Sequence, residues 1–198
     1  MNNDLLFRLM LLGLLVVFVV HRGYYTKKYG RPDADTVRGR EKSTAQSVAE
    51  GLSLLALLAT AVYLIAPHYL AWASLPFPDW LRWAGAGIFA LSGFALLQSA
   101  HAALSRNWSD RPRLLTDQNL VTSGPYGFIR HPIYTAFLLI LSAPLFLSAN
   151  WLVGVLWIVS TALEVASRVR YEEALLAERF GESFKAYTSH TGRLLPRL

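Results

Sequence analysis

The sequence predicts an all-α integral membrane protein with about five transmembrane helices and a C-terminal helical hairpin. Three observations predict it. Of 198 residues, 54% are apolar or aromatic and only 16% are charged, a smaller charged share than soluble domains carry. Apolar runs recur at the length a helix needs to cross about 30 Å of hydrocarbon. The basic residues collect in alternate loops, as they do on the cytoplasmic side of membranes.

The first run, Leu5–Val20, is short and carries Arg8, so a signal peptide or an interfacial helix would look similar. His21 and Arg22 follow it in place of a small-residue cleavage site, which favours a span. The second and third runs are Val48–Ala66 and Trp80–Ala100, where Gly51, Gly85, Gly87 and Gly93 permit close helix packing. The fourth and fifth, Ile133–Ala149 and Trp151–Ala166, are separated by Ser148-Ala149-Asn150, and Pro144 interrupts the former. They read as a tight hairpin that returns the chain to the side it came from. From Val155 to Phe180 there is neither Pro nor Gly, so a helix of about 39 Å can form. That exceeds the hydrocarbon thickness, so the last helix emerges from the membrane, and Gly181 stops it.

Orientation follows from charge. The loop His21–Ser47 holds Arg22, Lys27, Lys28, Arg31, Arg38, Arg40 and Lys42, whereas Pro67–Asp79 holds no Lys or Arg. The first loop is therefore placed inside and the N-terminus outside. The segment His101–Pro132 and the tail, with Arg179, Lys185, Arg193 and Arg197, then lie inside as well. The net charge of +6 is topological and attracts anionic lipid headgroups rather than nucleic acid. The absence of cysteine excludes disulfides, thiolate ligands and cysteine nucleophiles. His101 and His131 stand at helix ends rather than inside spans, which argues against haem, and no metal site is expected.

The chain divides into residues 1–103, three spans with little chemistry, and residues 104–198, where polar residues crowd the membrane boundary. Asn107-Trp108-Ser109 matches a glycosylation sequon, but it falls on the predicted cytoplasmic side. Pro132 suits the first turn of a helix, and it pushes His131 toward an extended conformation. Arg130 and His131 thus sit at a helix N-terminus, which favours an anion, with Tyr134 leaning to the same face. Glu164, Arg168 and Glu172 recur at four-residue spacing, with Glu173 adjacent. Glu164 lies deepest and is expected to pair with Arg168. Glu172 and Glu173 read equally well as solvated partners of Arg168 or as ligand groups. Phe180, Phe184 and Tyr187 form an amphipathic packing face in which Tyr187 can also meet a ligand.

Taken together, Asn107-Trp108-Ser109, LVTSGPYGFIRHPIYTA from Leu120 to Ala136, Arg168 through Glu172-Glu173, Phe180-Gly181-Glu182, Tyr187 and Gly192-Arg193-Leu194-Leu195-Pro196 resemble a known family. It is that of the isoprenylcysteine carboxyl methyltransferases and their bacterial relatives, with phospholipid N-methyltransferases nearby. The resemblance departs at Ala136, where the pattern usually has Gly, so slightly wider packing is expected there.

The resemblance implies that the C-terminal cytoplasmic segments bind S-adenosylmethionine and that a lipidic or prenylated methyl acceptor enters from the bilayer, a bacterial inner membrane being the favoured location. Carried over by residue, it implies cofactor contacts from Gly124, Pro125, Tyr126, Arg130, His131, Pro132, Tyr134, Glu172, Glu173 and Tyr187. It implies acceptor contacts from Asn107, Trp108 and Arg168, and catalytic roles for Arg130, His131 and Glu173. The charges suit this, since the cofactor offers a carboxylate for Arg130 or His131 and an ammonium for a glutamate. Carboxyl O-methylation, the favoured reaction, needs no general base; an amine or hydroxyl acceptor would need His131 or Glu173. An NADPH-dependent sterol or isoprenoid-type reductase shares an Arg-His-x-x-Tyr segment and is the rival enzyme. A small transporter or assembly factor would instead place polar or broken-helix features at mid-bilayer.

Overall fold

The computed structural model describes residues 3–29, 36–39, 43–108, 113–115 and 118–197. Ser109 of the Asn-Trp-Ser motif and most of the loop 30–42 lie outside the described residues. Four helices are each long and apolar enough to cross a membrane: α1 (Asn3–Tyr29), α2 (Thr44–Ile65), α3 (Asp79–Leu104) and α6 (Trp151–His190). Each extends past its apolar run because polar residues complete its ends. Ser43 caps α2, its hydroxyl accepting the Gln46 N–H at 3.3 Å.

The fourth expected span is two helices, α4 (Pro132–Ile140) and α5 (Ala143–Ser148). Pro144 has no N–H for the Ile140 carbonyl and its ring crowds that turn, so the helix breaks at Leu141 and Ser142. The broken segment still reaches the far end of the bundle. There the Leu75 N–H donates to the Ala149 carbonyl at 2.7 Å, and Asn150 Nδ2 donates to the Leu70 carbonyl at 2.9 Å. Leu70 and Leu75 belong to the connection between α2 and α3, the one without Lys or Arg. The hairpin tip thus shares an end with that connection, so the broken pair runs to the same end of the bundle as the four long helices around it. Asn150 also caps α6, its Oδ1 accepting the Val153 N–H at 3.2 Å.

At the same end, Tyr69, Trp72, Trp80 and Trp151 are exposed, the aromatic belt expected at a membrane interface. Buried Arg82 fastens three helices there. It pairs with Asp4 of α1 at 3.2 Å, donates to the Leu147 carbonyl of α5 at 2.8 Å and lies 3.6 Å from the Phe7 ring centre.

Between the ends, α2 packs along α6, and α3 packs against α4 and α5. Inside a bilayer, lipid and protein are equally apolar, so close contact through small residues drives this association. A side chain at Gly85 would collide with Phe146, and one at Gly154 with Leu145. At Gly93 it would meet Ile140 and, at 3.1 Å, the Ala136 carbonyl. Ala136 itself is fully buried, so the small residue that closes this contact comes from α3. Gly51 and Gly87, expected to pack closely, face no neighbouring atom within 4 Å.

At the opposite end, α6 changes direction at Gly181 (φ 50°, ψ −122°), then continues to His190. Gly181 therefore ends the straight helix as expected, but a second helical segment follows it directly. A short antiparallel ribbon, β1 (Thr36–Gly39) with β2 (Arg113–Leu115), joins two loops.

Candidate functional site

The polar end is organised by the C-terminal tail. Gly124 takes φ +60° and opens a 3₁₀ turn, Gly124–Gly127, that buries Tyr126. The chain then passes through His131 (φ −126°, ψ 59°), which falls short of the extended conformation expected for it, into Pro132, the first residue of α4. Gly192 and Arg193 lie alongside this stretch as a strand would. The Arg130 N–H donates to the Gly192 carbonyl at 2.8 Å, the His131 N–H to the Arg193 carbonyl at 3.1 Å, and the Gly192 N–H to the Phe128 carbonyl at 3.2 Å. A side chain at position 192 would collide with the Leu195 carbonyl, so the tail turns there only with glycine. Thr135 Oγ1 donates to the Leu194 carbonyl at 2.6 Å and the Tyr187 hydroxyl to the Tyr126 carbonyl at 2.6 Å.

Glu172 and Glu173 are adjacent on α6 and so point about 100° apart. Glu173 turns to the tail. It accepts from Arg130 Nε at 2.9 Å, lies 3.3 Å from His131 Nε2 and pairs with Arg193. Burial works to raise its carboxyl, but the bonds from His131, Arg193 and Arg130 prevail and hold it at about 2. Glu172 turns to a cavity, accepts the Tyr134 hydroxyl and lies 3.6 Å from His131 Nδ1. His131 is thus held between two carboxylates. Burial disfavours its charged form, yet the bonds to Glu172 and Glu173 raise it above the ordinary histidine value. Burial pushes the Tyr126 phenol well above its usual range and that of Tyr187 to about 12, so both are neutral donors.

The cavity encloses about 1170 Å³, its open mouth included. Arg130, His131, Tyr126, Tyr134, Glu172, Tyr187, Asn107, Trp108 and Arg168 all line it. Gly124, Pro125, Pro132 and Glu173, expected to meet the cofactor, are not among the residues that line it. Asn107 Oδ1 accepts the Asn119 N–H at 2.8 Å, and both residues line the cavity. Arg168 pairs with Glu164 at 2.8 Å, as expected.

Sequence reasoning missed the contribution of α1 and α3. His21 and Arg22 line the cavity, as do His101 and Leu104. His101 stacks on Tyr25 at 4.0 Å between ring centres, and Gln98 bridges Tyr25 and His21. His21 Nδ1 is buried with no hydrogen-bond partner among the described residues. The signal was present in the polar residues closing the first and third spans at one end of the bundle.

Fold and site together define a multi-pass membrane protein whose polar chemistry is gathered at one end of its bundle. Residues 86–178 match the model of the isoprenylcysteine carboxyl methyltransferase family. Its fold is similar to a solved structure of the eukaryotic intramembrane Ras methyltransferase, an isoprenylcysteine carboxyl methyltransferase, with a TM-score of 0.55 and 20% sequence identity. The match covers 79% of this chain and 54% of that one, so the chain spans about half the length of the solved protein. No curated protein matches the chain.

Proposed function

We propose that this protein transfers a methyl group from S-adenosylmethionine to a lipidic or prenylated acceptor at the cytoplasmic membrane boundary, with a carboxylate as the favoured acceptor group. The observation that carries the reading is Glu172, a carboxylate on the cavity wall, among the aromatic rings of Tyr126, Tyr134, Trp108 and Tyr187. This set fits the cofactor. Carboxylate and aromatic faces attract a sulfonium and an ammonium, and the Arg130 guanidinium on the cavity wall would meet a carboxylate. The unpartnered His21 Nδ1 is a further polar group for a ligand. When bound, S-adenosylmethionine supplies an electrophilic methyl group on a positively charged sulfur.

The chain's own residues bind, orient and exclude water. Glu172 and Arg130 would hold the polar ends of the cofactor, with Tyr126 as a neutral donor and Tyr187 packing the wall through its bond to the Tyr126 carbonyl. Glu173 braces both Arg130 and His131, which makes it a positioning residue. Aligning donor and acceptor in a dry site is the main requirement of a displacement in which opposite charges vanish. A carboxylate acceptor has no proton to lose, so no side chain acts as base.

The test is incubation of purified protein with radiolabelled S-adenosylmethionine and total membrane lipid, followed by identification of the labelled product. A base-labile methyl ester on a lipid is expected. Calorimetry should show S-adenosylhomocysteine binding that weakens about ten- to a hundredfold in Glu172→Gln, the loss of one charge-assisted bond. Tight NADPH binding that improves in Glu172→Gln would overturn the proposal.

A further inference from the structure

A second, smaller cavity lies deeper in the bundle, among α1, α2, α4 and α6. Arg22, Tyr134, Phe137 and Arg168 line both cavities, so the two meet at one wall. Much of the deeper cavity is apolar, with Phe18, Leu141, Trp157 and Val165 suited to a hydrocarbon chain. Its charged lining residues are Arg22, Glu164 and Arg168. Arg168 and Glu164 neutralise each other at 2.8 Å, and the Tyr134 hydroxyl is turned to Glu172 on the other side. Arg22 remains as the surplus charge. Its guanidinium carbon lies 5.9 Å from the centre of the Phe137 ring, and it makes no salt bridge among the described residues. Arg22 also lies outside residues 86–178, so the family match assigns it nothing.

A guanidinium with no carboxylate partner among the described residues, at the junction of an apolar cavity and a polar one, favours an anion there and repels an ammonium. Its planar fork matches the two oxygens of a carboxylate. We infer that Arg22 is a specificity-determining residue that receives the carboxylate of a lipid-chain acceptor where the two cavities meet, an inference that rests on the methyl-transfer reading above.

The test compares wild type, Arg22→Gln and Arg22→Lys in nanodiscs. The acceptor probes are a farnesylated N-acetylcysteine and its analogue bearing an amine in place of the carboxylate. Binding of the acid to protein loaded with S-adenosylhomocysteine should weaken about ten- to a hundredfold in Arg22→Gln, with a parallel rise in KM and little change in kcat. Arg22→Lys should recover part of the loss, and the preference for acid over amine should shrink in Arg22→Gln. Unchanged S-adenosylhomocysteine affinity in the variants shows that the fold is intact. If Arg22→Gln binds and turns over the acid as wild type does, the residue contacts lipid phosphates instead, and the inference falls while methyl transfer stands. A wild type that methylates the amine and not the acid overturns the carboxylate assignment. A wild type that binds no S-adenosylhomocysteine overturns the methyl-transfer reading itself, and the inference with it.

Discussion

Replacing Glu173 with alanine should release the C-terminal tail while leaving the cavity carboxylate in place. Glu173 and Arg130 have side chains that are each 12% exposed, and His131 is 5% exposed, whereas Arg193 is 54% exposed. A charge-assisted hydrogen bond of the buried kind contributes roughly 1.5–3 kcal/mol. The half-exposed pair with Arg193 contributes roughly 0–1 kcal/mol. The His131 contact is long and the three partners share one carboxylate, so the contributions do not add fully. A local loss of about 2–4 kcal/mol follows, with two cations left short of their partner. The assay is hydrogen exchange followed by mass spectrometry on peptides holding the Arg130, His131 and Gly192 amides, which bond across to the tail. Their exchange should accelerate about thirty- to a thousandfold. Glu172→Ala should leave those rates near wild type and weaken S-adenosylhomocysteine binding. The reasoning fails if Glu173→Ala exchanges within threefold of wild type, or if Glu172→Ala loosens the tail as much.

The same clamp should depend on pH in both directions. His131 is raised, so its contribution is complete below about pH 6.5 and is lost as pH climbs through its folded value; Glu173 is depressed to about 2, so its contribution is complete above about pH 4.5 and is lost toward pH 2. Tail protection, corrected for intrinsic exchange, should therefore be flat between those limits and decline beyond each; protection that keeps rising from pH 6 to 9 would contradict this. For topology, cysteines introduced at Thr36 and Ser74 of this cysteine-free chain should react with an impermeant reagent from opposite faces, Ser74 from outside. Labelling of both from outside would reject the assigned orientation.

The crossings were legible because hydropathy reports length, and the broken fourth crossing was legible in Pro144. Pro132 at the head of α4, Asn150 in the hairpin turn and the Glu164–Arg168 pair also follow from local rules of caps and spacing. The rotation of each span about its axis was not legible. In water, an apolar stripe tells which face of a helix looks inward; in a bilayer both faces are apolar, so α1 gives no hint that Arg22 and His21 turn to a cavity. Glu172 and Glu173 show the same limit. Their divergence follows from helical geometry, but which one faces the cavity depends on how the tail docks, and that docking joins residues such as Ile129 and Gly192, far apart in sequence.

The distribution of compensated charge explains why chemistry belongs to one end of this bundle. A charge near hydrocarbon is costly unless it is paired or wet. At the tryptophan-rich end, Arg82 meets Asp4, Asp79, a backbone carbonyl and a ring, so its charge is used up in holding helices together. At the polar end, Glu173 is spent in the same way on Arg130, His131 and Arg193. Glu172 and Arg22 differ, because each faces a cavity. The carboxylate leans on a neutral phenol and a shared imidazole, and the guanidinium lies near a phenyl ring. A site that brings a cationic methyl donor to an anionic acceptor needs these two features: a carboxylate on the donor side and a cation on the acceptor side, with Tyr134 and Phe137 in the wall common to both cavities.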